Sequence, residues 1–165
     1  MIYIGIDPRL QGAFAVVLQD GALLYACRTP IIAPTGKGKT DYDLPAMAAL
    51  LRDWSEGVNP ATVAVEKVAS MPHDGVAASF RFGMGYGIWL GLMAALSVPY
   101  IEVTPQRWQA KMLAGLPRGP KSKASAMRAA KSLFPTIPVR VKADNGIADA
   151  ALLAEYGRRI HQGGK

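Results

Sequence analysis

Cysteine and histidine are scarce in this chain of 165 residues, which contains one cysteine, Cys27, and two histidines, His73 and His161. A single cysteine excludes an internal disulfide framework and any zinc site built from several cysteines, and it fits a reducing cytoplasm. We interpret His73 as a loop residue rather than a metal ligand, and His161 lies in the tail. The sequence therefore offers no histidine or cysteine cluster for a soft metal.

Long hydrophobic runs are also missing. The longest candidate, residues 83–98, is rich in glycine and too short for a membrane-spanning helix. The N-terminus has the pattern of a strand and not of a basic segment followed by a small-residue cleavage site, so we expect no secretory or transit peptide. These two features predict a cytoplasmic protein that does not associate with membranes.

Acidic residues are absent from residues 104–142, where nine basic residues occur. The whole chain has 19 Lys and Arg against 12 Asp and Glu, a formal net charge of +7. Because exposed helices normally mix both signs of charge, a long stretch of one sign indicates contacts with phosphates. The candidate nucleic-acid-binding residues in this stretch are Arg107, Lys111, Arg118, Lys121, Lys123, Arg128 and Lys142.

The chain is most simply one domain spanning residues 1–165, large enough to bury a core. Alternating apolar residues predict an antiparallel meander of three strands over residues 2–29, with a type I′ turn at Asp20-Gly21. Two more strands, at residues 60–66 and 99–103, alternate with helices. We therefore predict an α/β fold in which helices flank a five-stranded mixed sheet, made of the 1-2-3 meander and parallel strands.

Residues 30–43 are rich in proline, glycine, lysine and threonine and predict a loop. The segment Gly36-Lys-Gly38-Lys39-Thr40 is reminiscent of a phosphate-binding loop, but that pattern needs a glycine where Ala33 stands. We therefore predict no nucleotide cofactor. After this loop, Asp43 and Pro45 predict the start of a helix, as an N-cap acid and a first-turn proline.

Carboxylates end two of the predicted strands and begin the last helix. Asp7 follows the first strand and Glu66 the fourth, and either residue alone could be a turn-capping acid. Asp144 and Asp149 lie where the helix dipole by itself favours acids. Since positions five apart do not share a helix face, both serve one site only if Asp144 lies at or before the cap. The two strand-end acids together indicate a functional constellation.

Several short motifs follow one another in a characteristic order. They are Gly5-Ile-Asp7-Pro with Gly12-Ala, Asp74-Gly75, the Gly-x-Gly-Tyr-Gly-x-Trp run at residues 83–89, Thr-Pro-x-x-Trp at 104–108, Ser-Leu-Phe-Pro at 132–135 and the acidic segment at 144–152. This ordered set resembles the RuvC-type Holliday junction resolvases of the ribonuclease H-like nuclease superfamily, and most closely their phage and plastid branch. The resemblance covers nearly the whole chain.

The resemblance implies a Mg²⁺-dependent endonuclease, with Mn²⁺ able to substitute, that acts as a homodimer on branched DNA and nicks four-way junctions in symmetric pairs. Asp7, Glu66 and Asp149 match the acidic metal ligands of the family, and Asp144 matches the remaining position. The plastid branch has a histidine in the place of Asn145, so either Asp144 or Asn145 completes the site. Clustered carboxylates repel one another unless hard cations lie between them, which is the physical reason for such a set.

Other residues take roles only through the same resemblance. Lys123 matches a lysine that precedes the Ser-Leu-Phe-Pro helix, and its implied role is to neutralise charge on the scissile phosphate. Phe80 and Phe82 become candidates for entering the junction.

Three alternatives stay open from the sequence. One is a different ribonuclease H-like enzyme, acting on RNA–DNA hybrids or resembling the YqgF-like RNA-processing nucleases. The second is a non-catalytic DNA-binding module in which the acids are structural. The third, an actin-like kinase, shares the opening acid and meander but needs two such domains.

Overall fold

A five-stranded mixed sheet forms the centre of the fold, with the strand order β3-β2-β1-β6-β7. The strands are β1 (Ile2–Asp7), β2 (Ala13–Leu18), β3 (Leu23–Arg28), β4 (Ile31–Ile32), β5 (Asp41–Tyr42), β6 (Ala61–Glu66) and β7 (Tyr100–Val103). Strands β1, β2 and β3 pair antiparallel, whereas β6 runs parallel to both β1 and β7. The predicted fold class is confirmed. The computed structural model describes residues 1–34, 36, 39–56, 61–68, 75–117, 122–139 and 144–163.

Helices cover both faces of this sheet. In the described residues they are α1 (Leu44–Ser55), α2 (Val76–Ala95), α3 (Pro105–Met112), α4 (Ser122–Leu133) and α5 (Asn145–Gly163). One face of the sheet packs on α1 and α2 through residues such as Phe14, Leu51 and Trp89. The other face packs on α3, α4 and α5 through residues such as Ala64 and Leu152. None of the helices in the described ranges is long and apolar enough to cross a membrane.

Strand β1 is the most enclosed strand, because all six of its residues are buried. It has β2 on one side and β6 on the other, and helices lie above and below it, so its uninterrupted apolar character is that of a strand covered on both faces. Helix α5 packs directly against its backbone. A Cβ atom at Gly5 would collide with the carbonyl oxygen of Ala150 and the amide nitrogen of Ala154. Glycine at this position therefore sets how closely α5 approaches the end of β1.

The segment predicted as a loop, residues 30–43, contains a short hairpin. Strands β4 and β5 pair antiparallel, with Ile31 opposite Tyr42. Two-residue strands are too short to produce a visible alternation of apolar residues, which explains why the sequence indicated only a loop. The Tyr42 side chain is buried, and its hydroxyl lies 3.4 Å from the carbonyl oxygen of Pro8 and 3.3 Å from that of Arg81. This one phenol thus joins the end of β1 to helix α2.

Local chemistry at helix and turn boundaries confirms one prediction and corrects another. The Asp43 carboxylate accepts a hydrogen bond from the amide of Ala46 at 3.0 Å, so the predicted N-cap of α1 is present. The predicted type I′ turn at Asp20-Gly21 is wrong. Gly21 has a φ of 93°, but Asp20 is not among the described residues with positive φ, and type I′ requires positive φ at both central positions. The Gly21 amide instead donates to the Leu18 carbonyl at 2.9 Å and closes a turn whose central residues are Gln19 and Asp20.

A buried ion-pair network secures the second half of α5. Glu155 is 3% exposed and accepts two hydrogen bonds from Arg158, at 2.6 and 2.8 Å, and one from Arg159 at 2.7 Å. Arg158 also donates to the carbonyl of Gln19 at 3.3 Å, which ties the helix to the β2–β3 turn. Burial alone would raise the pKa of Glu155, but the hydrogen bonds from the two arginines outweigh it and hold that pKa below its ordinary value.

We expect Glu155→Gln to lower the free energy of unfolding by about 1–3 kcal/mol at pH 7, because two arginines lose a charged partner. Since the folded pKa is depressed, the contribution of Glu155 is present above its unfolded pKa, about 4.3, and is lost as pH falls through the folded pKa. Urea unfolding at pH 7 and at a series of acidic pH values measures this.

The matched control is Glu56→Gln, because Glu56 is 68% exposed and its contact with Arg52 is 3.7 Å. We expect it to change the free energy of unfolding by less than about 0.5 kcal/mol. A difference between wild type and Glu155→Gln that stays constant from pH 7 to pH 3 would contradict the assignment.

Candidate active site

Three carboxylates meet at one edge of the sheet. The parallel pairing of β1 with β6 sets Ile6 opposite Val65, so Asp7 and Glu66 end neighbouring strands side by side. The close approach of α5 to β1 brings Asp149 to the same edge. Asp7 is fully buried, Glu66 is 8% exposed and the Asp149 side chain is 13% exposed. The structure thus brings together three of the four predicted acids.

The guanidinium of Arg9 lies between two of these acids. Its Nε donates to Oδ1 of Asp7 at 2.8 Å, and its Nη2 donates to Oδ2 of Asp7 at 2.6 Å and to Oδ2 of Asp149 at 3.2 Å. Because one nitrogen contacts both carboxylates, their oxygens lie no further apart than these two distances together. Arg9 was not predicted as a site residue. The available signal was an arginine directly after the strand-ending Asp7-Pro8, where a tight turn lets the side chain fold back.

Glu66 is oriented by a tryptophan. The indole nitrogen of Trp108 donates to Oε1 of Glu66 at 3.0 Å. Trp108 lies on α3, and its side chain is 1% exposed in the hydrophobic core. Burial raises the pKa of Glu66, and the neighbouring charge of Asp7 raises it further, while Trp108 and Arg9 act in the opposite direction. Trp108 belongs to the Thr-Pro-x-x-Trp motif, but nothing in that motif alone indicated that its indole would contact a site residue.

The pKa of Asp149 is raised well above its ordinary value. Burial raises its pKa to about 8, with further contributions from the charges of Asp7 and Glu66, and Arg9 offsets only part of this. The pKa of Arg9 is raised further above its ordinary value, mainly by its hydrogen bonds to Asp7. The site is therefore a buried group of acids in which the charged forms of Asp149 and Glu66 are disfavoured.

Asp144 contacts a different arginine. Its Oδ1 accepts a hydrogen bond from Nη2 of Arg28 at 2.6 Å. Arg28 ends β3 opposite Ala13, and Ala13 in turn lies opposite Asp7, so this ion pair lies at the same edge of the sheet, two strands away from Asp7. Arg28 was not predicted as a site residue, since 116 residues separate it from Asp144 in the chain.

A cleft of about 620 Å³ opens beside the acids. Arg9, Arg81, Phe82, Lys123 and Asn145 are among the residues that line it. Three of these side chains are cationic and one is aromatic, a combination suited to a sugar-phosphate backbone and its bases. The predicted residues Lys123 and Phe82 thus line the same cleft as Arg9, and Asn145, rather than Asp144, lines it as well.

The other predicted nucleic-acid-binding residues lie elsewhere. Lys111 and Arg128 line a separate groove of about 510 Å³ between α3, α4 and α5, together with Arg159. Arg107 is exposed on α3, and Phe80 is 70% exposed on α2. The positions that lie outside the described residues are Arg118, Lys121 and Lys142.

The donor chemistry at the sheet edge fits a hard divalent cation, because carboxylate and amide oxygens are the ligands that Mg²⁺ prefers. Within the described ranges, no group of three or more His, Cys, Asp or Glu side chains has the arrangement that holds a metal ion. The positive charge among these acids is instead the guanidinium of Arg9.

We expect Asp149 to titrate near pH 8 in protein freed of divalent cations. Asp7→Asn should move this pKa downward, because it removes a nearby negative charge and leaves Arg9 to Asp149 alone. Carbon-detected NMR titration of the Asp149 carboxyl measures both values. Asp20→Asn, in an exposed turn, is the control that should leave the pKa of Asp149 unchanged. An Asp149 pKa near 4 in the wild type would contradict the effect assigned to burial.

Comparison with known proteins reveals similarity in structure only. No protein-family model matches the chain, and no curated protein matches it in sequence. The structure of Thermus thermophilus RuvC in complex with a Holliday junction substrate is similar, with a TM-score of 0.64 and 17% sequence identity over 99% of this chain and 96% of that chain. A second structure of Thermus thermophilus RuvC has the same TM-score and sequence identity, and the match covers 99% of this chain and 97% of that chain. The chain therefore has a RuvC-like, ribonuclease H-like fold.

Proposed function

We propose that this protein is a divalent-metal-dependent endonuclease that resolves four-way DNA junctions by paired symmetric nicks. The observation that carries the proposal is the convergence of Asp7, Glu66 and Asp149 beside a basic cleft, at the sheet edge of a RuvC-like fold. A buried group of carboxylates has no advantage for stability, because burial and mutual repulsion both disfavour it. Its presence favours a catalytic role over a structural one.

In this proposal the acids hold Mg²⁺, or Mn²⁺ in its place. Asp7 and Asp149 supply oxygens from β1 and α5, Trp108 keeps Glu66 oriented toward them, and either Asp144 or Asn145 completes the set. When bound, such an ion activates a water molecule and stabilises the negative charge of the departing oxygen. Burial of the three acids excludes bulk water from their oxygens and so strengthens every electrostatic contact there.

The cleft then holds the DNA strand that is cut. Lys123 and Arg81 offer cations to the phosphates, and Phe82 offers a ring face on which an unpaired base at the junction can stack. The groove lined by Lys111 and Arg128 gives a second basic surface, on the side of the fold formed by α3 to α5, for another arm of a branched substrate. Binding to phosphates positions the DNA, and selection of the junction depends on its branched shape.

Symmetric nicking of two strands requires two active sites, and we propose that α2 forms the homodimer interface. Val76, Phe80, Gly83, Gly87 and Gly91 fall on one stripe of this helix. Val76 is 88% exposed and Phe80 is 70% exposed, and a Cβ atom at any of these three glycines would meet no atom within 4 Å beyond the adjoining backbone of α2. An exposed stripe that combines apolar side chains with bare backbone suits close packing against its own copy about a two-fold axis.

Replacing Asp7 by Asn separates catalysis from binding. We expect Asp7→Asn to reduce cleavage of a synthetic immobile junction in Mg²⁺ by about a hundredfold or more, since metal activation is worth several kcal/mol in the transition state. Junction binding, followed by gel mobility in Ca²⁺, should change only a few-fold. Asp20→Asn is the matched control and should cut at the wild-type rate.

Other outcomes of that experiment decide between the alternatives. Unchanged cleavage by Asp7→Asn would show that the carboxylates take no part in the mechanism. Tight junction binding by a wild-type protein that produces no nicks would identify a DNA-binding module, and faster cleavage of an RNA–DNA hybrid than of the junction would identify a different ribonuclease H-like nuclease.

The dimer proposal has its own test. We expect the wild-type protein to sediment as a dimer and Gly87→Arg to sediment as a monomer, because the new side chain stands on the stripe where a partner would pack. Arginine is a better helix former than glycine, so α2 itself should persist. Gly163→Arg, at the open end of α5, is the control and should remain dimeric. A wild-type monomer at all concentrations would reject the interface.

A further inference from the structure

We propose that Arg9 is a displaceable internal cation, which occupies the metal-binding carboxylates in the free protein and transfers to a DNA phosphate when the substrate enters the cleft. The inference rests on the proposed nuclease function and adds to it a control step within the same site. It concerns one side chain, its two carboxylate partners and the cleft that it borders.

The Arg9 guanidinium makes short, well-oriented contacts with two carboxylates. Its guanidinium takes both oxygens of Asp7, at 2.8 and 2.6 Å, and reaches Oδ2 of Asp149 at 3.2 Å. A two-pronged contact of this kind fixes the orientation as well as the distance of the partners. A divalent cation on the same oxygens would lie within a few ångströms of the guanidinium, where two positive charges repel strongly in a water-poor site. Arg9 must therefore leave before Asp7 and Asp149 can act as ligands.

The Arg9 side chain lies beside an open cleft into which it can turn. It is 35% exposed, whereas Asp7 beneath it is fully buried, and it lines the 620 Å³ cleft together with Arg81 and Lys123. Because Arg9 already lines this cleft, rotation about its side-chain bonds can carry the guanidinium away from the acids and into it. A phosphate accepts the same planar, two-pronged contact as a carboxylate, so DNA in the cleft provides an equivalent partner.

The backbone of Arg9 is held while its side chain is free to turn. Its carbonyl oxygen accepts hydrogen bonds from the Gly12 amide at 2.8 Å and from the Thr29 hydroxyl at 3.2 Å. Its amide donates to Oδ1 of Asp7 at 3.3 Å. The movement is thereby restricted to the side chain, and the loop between β1 and β2 can keep its shape in both states.

Arg28 provides a comparison at the same sheet edge. Its ion pair with Asp144 is 2.6 Å long, but the Arg28 side chain is 58% exposed. An exposed arginine of this kind is readily replaced by water and salt, and it presents little barrier to cation binding. Arg9, on fully buried Asp7, is the residue that a metal ion has to compete with.

The consequence is a coupling between DNA and metal. Without DNA, Arg9 keeps affinity for divalent cations low, and phosphates that attract Arg9 raise that affinity. By thermodynamic reciprocity, bound cation also raises affinity for DNA by the same factor. The site then assembles on its substrate, and in the protein without DNA Asp7 and Asp149 stay paired with Arg9.

The test measures Mn²⁺ binding to the full-length chain in the absence of DNA, by the electron paramagnetic resonance signal of free Mn²⁺. We expect Arg9→Gln to bind Mn²⁺ about tenfold or more tightly than the wild type, within the range usual for coupled sites. Arg81→Gln removes the same charge from the same cleft but leaves both acids paired with Arg9, so its affinity should change by no more than about twofold. Asp7→Asn should lose the binding in either background.

The possible results distinguish the role of Arg9 from the proposed metal-dependent function. Arg9→Gln that is folded by circular dichroism and binds Mn²⁺ no more tightly than the wild type would overturn the role of Arg9 and leave the metal site intact. If none of the proteins binds Mn²⁺ with or without junction DNA, the proposed metal-dependent function itself fails. Should Arg9→Gln not fold, Arg9→Lys replaces it, because an ammonium cannot make the two-pronged contact; unchanged affinity in Arg9→Lys would likewise overturn the inference.

Discussion

The contact between the backbone of β1 and helix α5 is the constraint on which the site depends. A side chain at position 5 would collide with the backbone of Ala150 and Ala154, so only glycine allows the helix to lie this close. Asp149 belongs to the same turns of α5, and Asp7 ends the same strand. Any displacement of α5 from β1 therefore separates the two carboxylates directly. Structural packing and candidate chemistry share this one interface.

Charge is the second constraint, and the fold meets it with neighbouring cations and donors rather than with exposure to water. Arg9 pairs with Asp7 and Asp149, Trp108 donates to Glu66, and Arg28 pairs with Asp144. Burial still keeps the pKa of Asp149 and Glu66 above their ordinary values. Once Arg9 has left, a site that is electrostatically unfavourable in its resting form would be stabilised by a cation of higher charge, as the proposed metal-dependent function requires.

The sequence predicted those parts of the fold that depend on local periodicity. Alternating apolar residues located the strands of the central sheet, and strand ends selected Asp7 and Glu66, because parallel neighbours finish at one edge. Contacts across long separations, such as that between Arg28 and Asp144, leave no local pattern, and Arg9 contacts Asp7 through a turn whose shape the sequence did not define. The type I′ turn failed for a related reason: Asp-Gly permits it, but the backbone of Asp20 takes another conformation.

Tyr42 links the hairpin, the end of β1 and helix α2 through two backbone carbonyls, those of Pro8 and Arg81. Gly85 lets α2 come into contact at this point, since a Cβ there would collide with both Pro8 and the Tyr42 phenol. The candidate active-site edge and the proposed dimer helix are thus in direct contact. In a two-fold assembly built on α2, the protein would fix the distance between the two active sites. That distance would then determine how far apart the nicks in the two opposite strands lie.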